Sequence, residues 1–266
     1  MSRILTWNIA CLPSQINMFR NPNKKIKEII DKIKNTKSAI ICLQEVFDYN
    51  IQKILSDSFE KDYKIYHSNE TYYSLIPKNG LFIASKYPIL EHHEYAFKNK
   101  EGIESFVDKG VISIIIDHEI LGKTAIHNTH MQSDTLFWPY YASIKNRQKQ
   151  QKELKQYLNK DNFKNITNIL CGDMNDKYNY ISDLCNSQIN LTQMNEEELI
   201  TFPYSQCQLD YILFNKTKQN YEINYKCLNS TENKLSDHNM LLCEINLSTC
   251  GDSGYNGDSD ESINSN

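Results

Sequence analysis

Ile169-Leu170-Cys171-Gly172-Asp173-Met174-Asn175 is an apolar run that stops abruptly in glycine and two Asx residues. A short run of this kind reads as a strand buried on both faces, and its polar end marks where the chain leaves the sheet. The same grammar recurs along the sequence. Ile4-Leu5-Thr6-Trp7 runs into Asn8, and Ala39-Ile40-Ile41-Cys42-Leu43 runs into Gln44-Glu45. Ala125-Ile126 precede Asn128-Thr129-His130, Asp210 opens Tyr211-Ile212-Leu213-Phe214, and Asp237-His238 stand just before Met240-Leu241-Leu242. Catalytic groups are often carried on loops held by a rigid sheet, so these polar ends outline a site as well as a fold.

Between these strands the period changes. Ile26, Ile29, Ile30 and Ile33 fall at i, i+3, i+4 and i+7 with lysines opposite, which predicts an amphipathic helix. Ile51, Ile54 and Leu55 predict a second helix, and Ile144, Gln151, Leu154 and Leu158 a third. Strands are expected over 4–8, 39–43, 63–67, 80–85, 111–117, 124–129, 166–171, 209–214 and 239–246. About ten strands and few helices, mixed through one chain, point to sheets packed on each other with helices outside. The folded domain is expected to span 1–247, and the Gly, Ser, Asn and Asp of 248–266 to form a disordered tail.

Of the 266 residues, 40% are apolar and 23% charged, which is ample for a buried core. The net charge of −4 excludes a molecule-wide positive field for nucleic acid or anionic membrane, though not a local basic patch. The eight cysteines form no C-x-x-C pair, which sets aside the common zinc and dithiol patterns. Cys42, Cys171 and Cys243 sit in apolar runs, as reduced core residues do. No apolar run reaches bilayer length and no h-region follows Met1. A soluble, monomeric, cytoplasmic protein without disulfides is expected.

Taken singly, the polar residues have plain structural readings. Asn8 would be a turn former, Glu45 a helix cap, His130 and His238 half-buried hydrogen-bonding residues, and Asp237 an N-cap. Gly172 to Asn175 would be a tight turn. Taken as a set, they match the needs of phosphodiester hydrolysis. Mg²⁺ takes hard oxygen ligands such as Glu45 and Asp237, a base must activate water, and donors must bear the growing phosphorane charge.

Trp7-Asn8, Gln44-Glu45, Gly172-Asp173-Met174-Asn175, Leu209-Asp210-Tyr211 and Ser236-Asp237-His238 occur in the order used by the endonuclease/exonuclease/phosphatase superfamily, which this chain resembles from its first strand to about Leu247. The resemblance implies a four-layer α/β sandwich, two central and mostly antiparallel sheets flanked by helices, with a metal site at one rim. It implies Mg²⁺, or Mn²⁺ in its place, held by Glu45 with Asn8 and Asp237. It further implies that Asp173 and Asn175 position the attacking water and a phosphoryl oxygen, and that His130 donates to a phosphoryl oxygen. His238 would be base or donor, with its tautomer fixed by Asp210.

Within the superfamily the chain is most similar to the neutral sphingomyelinase branch. Asn128-Thr129-His130-Met131-Gln132 resembles that branch's N-T-H-x-Q, and Gly80 to Ile89 its G-x-x-I-x-S-x-x-P-I strand. Lys109-Gly110 resembles its K-G element, and Arg147 and Glu153 the ends of its R-x-x-Q-x-x-E pattern. The implied substrate is a phosphodiester, a choline lipid before a nucleic acid. The alternatives are a nuclease, an inositol-phosphate phosphatase, or a binding module that has lost its chemistry. Leu136-Phe137-Trp138-Pro139-Tyr140-Tyr141 would pack under a loop or meet a lipid surface. Lys145, Arg147, Lys149, Lys152 and Lys155 would form a solvated basic helix face, or follow a phosphate backbone.

Overall fold

The computed structural model describes residues 1–11, 22–68, 79–134, 140–177, 191–192, 199–215, 221–229 and 235–247. The tail 248–266 and residues 136–139 of the aromatic run lie outside them. The strands are β1 (Ser2–Cys11), β2 (Ile40–Val46), β3 (Lys64–His67), β4 (Phe82–Ser85), β5 (Ile89–Ala96), β6 (Gly110–His118), β7 (Gly122–His130), β8 (Thr167–Asp173), β9 (Leu191–Thr192), β10 (Asp210–Asn215), β11 (Tyr221–Leu228) and β12 (Met240–Leu247). The helices are α1 (Pro22–Asn35), α2 (Tyr49–Phe59) and α3 (Tyr140–Leu158).

Two six-stranded sheets result, ordered β11-β12-β1-β2-β4-β3 and β5-β6-β7-β8-β10-β9. Each has one parallel pair at its centre, β1 with β2 and β7 with β8, and antiparallel neighbours on either side. Strand alternation divides the side chains into layers. Ile4, Ile40, Cys42, Ile112, Ile114, Ile126, Ile169, Ile212 and Cys243 fill the space between the sheets. Leu5, Trp7, Ile41 and Leu43 point the other way, under Ile26, Ile29, Ile33, Ile51 and Leu55 of α1 and α2. On the far side Val111, Ile115, Leu170 and Leu213 meet Leu154, Tyr157 and Leu158 of α3. The layers therefore run helix, sheet, sheet, helix, as expected. The six cysteines within the described residues are free, and no described helix is long and apolar enough to cross a membrane.

Local details correct the simpler readings. Asp48, not Glu45, caps α2, its carboxylate accepting from the amides of Asn50 and Ile51. Arg147 does not belong to a solvated basic face. It is 1% exposed, bonding Asp134 Oδ1 at 2.7 Å, the Gln132 carbonyl at 3.1 Å and Asp176 Oδ2 at 3.2 Å. Gly172 is no free turn residue either. Its φ is +139°, and a Cβ there would lie 2.0 Å from the Thr129 carbonyl oxygen on β7.

Candidate active site

The inward rows that fill the core with isoleucine in mid-sheet end in polar residues at one rim. Ile4, Thr6 and Asn8 share a face of β1, and Cys171 and Asp173 share one of β8. In β2 the alternation would aim Glu45 outward with Leu43. Its φ of +58° reverses the direction, so Val46 joins the outer core and Glu45 meets Asn8. Asn8 Nδ2 donates to Glu45 Oε1 and to Asp173 Oδ2, both at 3.0 Å, and thus joins the two sheets. Asn175, also left-handed at φ +50°, donates from its amide to Asp173 Oδ1 at 2.9 Å and from Nδ2 to the Met131 carbonyl at 3.0 Å.

His238 enters from the loop before β12. Asp210 Oδ2 lies 2.8 Å from its Nδ1, and Asp173 Oδ2 lies 3.6 Å from its Nε2. Burial depresses its pKa, but Asp210 and Asp173 outweigh that and raise it to about 10. Asp173 is raised to about 7, chiefly by burial, with His238 opposing and Asp210 adding to the rise. The pair is therefore an imidazolium against a carboxylate poised to take a proton. The loop is pinned at several points. Ser236 Oγ donates to the Asn8 carbonyl at 2.6 Å and accepts from the His238 amide at 3.1 Å. Trp7 Nε1 donates to the His238 carbonyl at 3.0 Å, and the Phe202 ring packs on the imidazole at 4.8 Å.

His130 is brought to the same place, its Nε2 3.7 Å from Asp173 Oδ2 and 3.9 Å from Glu45 Oε1. Lys109 Nζ, a donor only, sits 3.1 Å from Nε2, a contact that fits a neutral ring accepting at Nε2 with its proton on Nδ1, which has no hydrogen-bond partner among the described residues. Burial first, then Lys109 and His238, holds the His130 pKa well below the ordinary range. The cationic donor here is Lys109, 3% exposed, which sequence reasoning recorded as part of a motif without giving it a role.

The sequence pattern of the Endonuclease/Exonuclease/phosphatase family matches residues 5–238, from β1 to the histidine of the rim. The chain belongs to the Endonuclease/Exonuclease/phosphatase family. Its members are metal-dependent phosphodiesterases. No curated protein sequence matches the chain. Solved structures similar in fold include beta toxin from Staphylococcus aureus, with a TM-score of 0.76 and 20% identity over 92% of this chain and 99% of that one. Sphingomyelinase C from Streptomyces griseocarneus has a TM-score of 0.71 and 16% identity over 91% and 98%. TDP2 from D. rerio, in complex with a single-strand DNA product, has a TM-score of 0.70 and 14% identity over 92% and 98%. A further beta toxin structure holds bound magnesium ions.

The donor set of this family member suits a hard divalent cation. Burial first raises the pKa of Glu45. The hydrogen bond from Asn8 opposes this, and the charge of Asp237 adds to the rise. A cation would relieve that excess of negative charge on two partly buried carboxylates. Asp173, Asp210 and His238 also bring ligand atoms within 4.8 Å of one another, but there the imidazolium already supplies countercharge. Glu45, Asn8 and the half-buried Asp237 are thus the residues that could hold the metal.

Proposed function

We propose that this family member is a Mg²⁺-dependent phosphodiesterase of phospholipase C type, releasing phosphocholine from sphingomyelin or a similar choline lipid. One observation carries the hydrolytic part. The buried Asp173 carboxylate is bonded by Asn8 and flanked by His238 at 3.6 Å and His130 at 3.7 Å. Asp173, its pKa near neutrality, takes the proton of the attacking water, and Asn175 fixes the carboxylate through Oδ1. His238, held protonated by Asp210, donates to the phosphorane, and Lys109 adds positive charge beside it. A divalent cation held by Glu45, Asn8 and Asp237 would supply charge neutralisation for the phosphate.

The lipid part rests on likeness to sphingomyelinase C and on two exposed rings beside the site. Phe106 is 67% exposed, two residues from Glu104, which bonds Lys109. Tyr204 is 73% exposed, two residues from Phe202, which packs on His238. The amphipathic ring of Tyr204 suits the headgroup zone, and the apolar ring of Phe106 suits the acyl boundary beneath it. A nuclease is the second reading, favoured by the likeness to TDP2 with its DNA product and by the stacking such rings offer to bases. The test is a panel of sphingomyelin in mixed micelles, single- and double-stranded DNA, RNA and inositol phosphates, at equal enzyme concentration with Mg²⁺. Phosphocholine release exceeding all other turnover is expected. Efficient nicking of plasmid DNA without phosphocholine release would overturn the lipid reading and leave the hydrolytic one standing.

A further inference from the structure

Two loops meet at the Lys109 to His130 contact, and one α3 side chain reaches both. Gln150, 1% exposed, accepts from the Gln132 amide through Oε1 at 2.9 Å and donates through Nε2 to the Asn99 carbonyl at 2.9 Å. Gln132 lies two residues beyond His130, and Asn99 lies on the segment that leads to Lys109. Glu104 closes the other side of this ring. It accepts from Lys109 Nζ at 2.7 Å, from the Ser133 amide at 3.0 Å and from Ser133 Oγ at 2.6 Å. Arg147 and Glu153, one turn to either side on α3, hold the flanks. Arg147 bonds the Gln132 carbonyl, and Glu153 accepts from the amides of Lys98 and Asn99, the Asn99 side chain and the Tyr95 hydroxyl. Gln150 therefore completes an R-x-x-Q-x-x-E row whose members between them grip the two loops.

We infer that Gln150 is a positioning residue, holding the Lys109 ammonium against His130 Nε2 by tying the two loops at one amide. The inference rests on the phosphodiesterase reading for its kinetic consequence only. Of these three α3 residues only Gln150 reaches both segments. Glu104 and the Lys109 bond to the Met131 carbonyl at 2.8 Å tie them from the other side, so loss of Gln150 loosens the contact from the α3 side without parting the strands. A displacement of about 1 Å at a reacting centre can lower a rate by on the order of a hundredfold.

The test pairs kinetics with His130 ring ¹⁵N NMR. With bis(4-nitrophenyl) phosphate, Gln150→Ala should lower kcat about tenfold and leave KM within about twofold. In a Lys109→Met background the same change should cost less than about twofold, because the contact that Gln150 sets is already gone. The wild-type His130 should show a protonated Nδ1 and a bare Nε2, and Gln150→Ala should mix in the other tautomer while the melting transition stays cooperative. Equal kcat losses in both backgrounds would reveal a merely structural residue and overturn the inference, as would an unchanged tautomer. Where Gln150→Ala fails to fold, Gln150→Met keeps most of the volume, removes both amide bonds and adds no charge to the buried site. A wild type inert toward every phosphodiester would defeat the functional reading, and the tautomer measurement would still decide the role of Gln150.

Discussion

At the residue scale the site depends on two backbone departures. Glu45 reaches Asn8 only because its φ is +58°, and β8 lies close enough to β7 only because residue 172 has no Cβ. Gly172→Ala should therefore cost several times the ~1 kcal/mol of an ordinary glycine replacement. Its melting temperature should fall by more than ten degrees, and an unaltered value would show that β7 can give way. Glu45→Gln keeps the bond from Asn8 but removes the charge. It should weaken Mg²⁺ binding by at least about tenfold in calorimetry with little change in melting temperature. Asp173→Asn should lower kcat by about a hundredfold or more, and near-normal turnover would remove Asp173 from the role of base. The rim residues were legible in sequence because each borders an apolar run. The Lys109 contact was not, since no spacing announces that a lysine 21 positions earlier than a histidine will touch its ring.

At the element scale, the helices and central strands were readable from period, and the edges were not. β5 hides its alternation behind Glu91-His92-His93-Glu94, which lie along an exposed edge. β11 alternates between half-buried and exposed residues, too weakly to stand out from a loop. Beneath α3, the Tyr157 hydroxyl donates to Ser113 Oγ at 2.9 Å. Ser113 lies 2.7 Å from His127 Nδ1, and His127 Nε2 lies 3.0 Å from Asn168 Oδ1. Burial pushes His127 down to about 4, against the Asn168 bond, and burial does the same to His118. In the unfolded chain both titrate near 6.5, so between about pH 6.5 and 4 the unfolded state binds more protons. Stability is thus whole above that window and falls as pH drops through it, by up to about 1.4 kcal/mol per unit per group. Urea midpoints should decline from pH 7 to pH 5, and His127→Gln should flatten the decline. Asp173, raised to about 7, takes up a proton in the folded state over the same range and offsets part of the decline. The readout is therefore the difference between the two proteins, and equal slopes for wild type and His127→Gln would contradict the buried neutral histidine.

At the scale of the whole molecule, each sheet contributes half of the rim. Asn8 and Glu45 come from the β1–β2 pair, His130 and Asp173 from β7–β8, and one Asn8 amide joins them. One layer behind the rim, Asn128 of β7 accepts from Gln44 Nε2 at 2.7 Å and donates to the Leu43 and Phe82 carbonyls, and below these ties the isoleucine layer separates the two sheets. Ile126→Ala in that layer and Ile33→Ala under α1 should each cost about 2–5 kcal/mol. Only the first should also lower kcat, in assays at temperatures where both variants are fully folded. Equal kcat in the two would show that the rim holds its own spacing. The core between the sheets then works as a shim in a pair of jaws: its thickness, set residues away from any substrate, gauges the gap across which the chemistry is done.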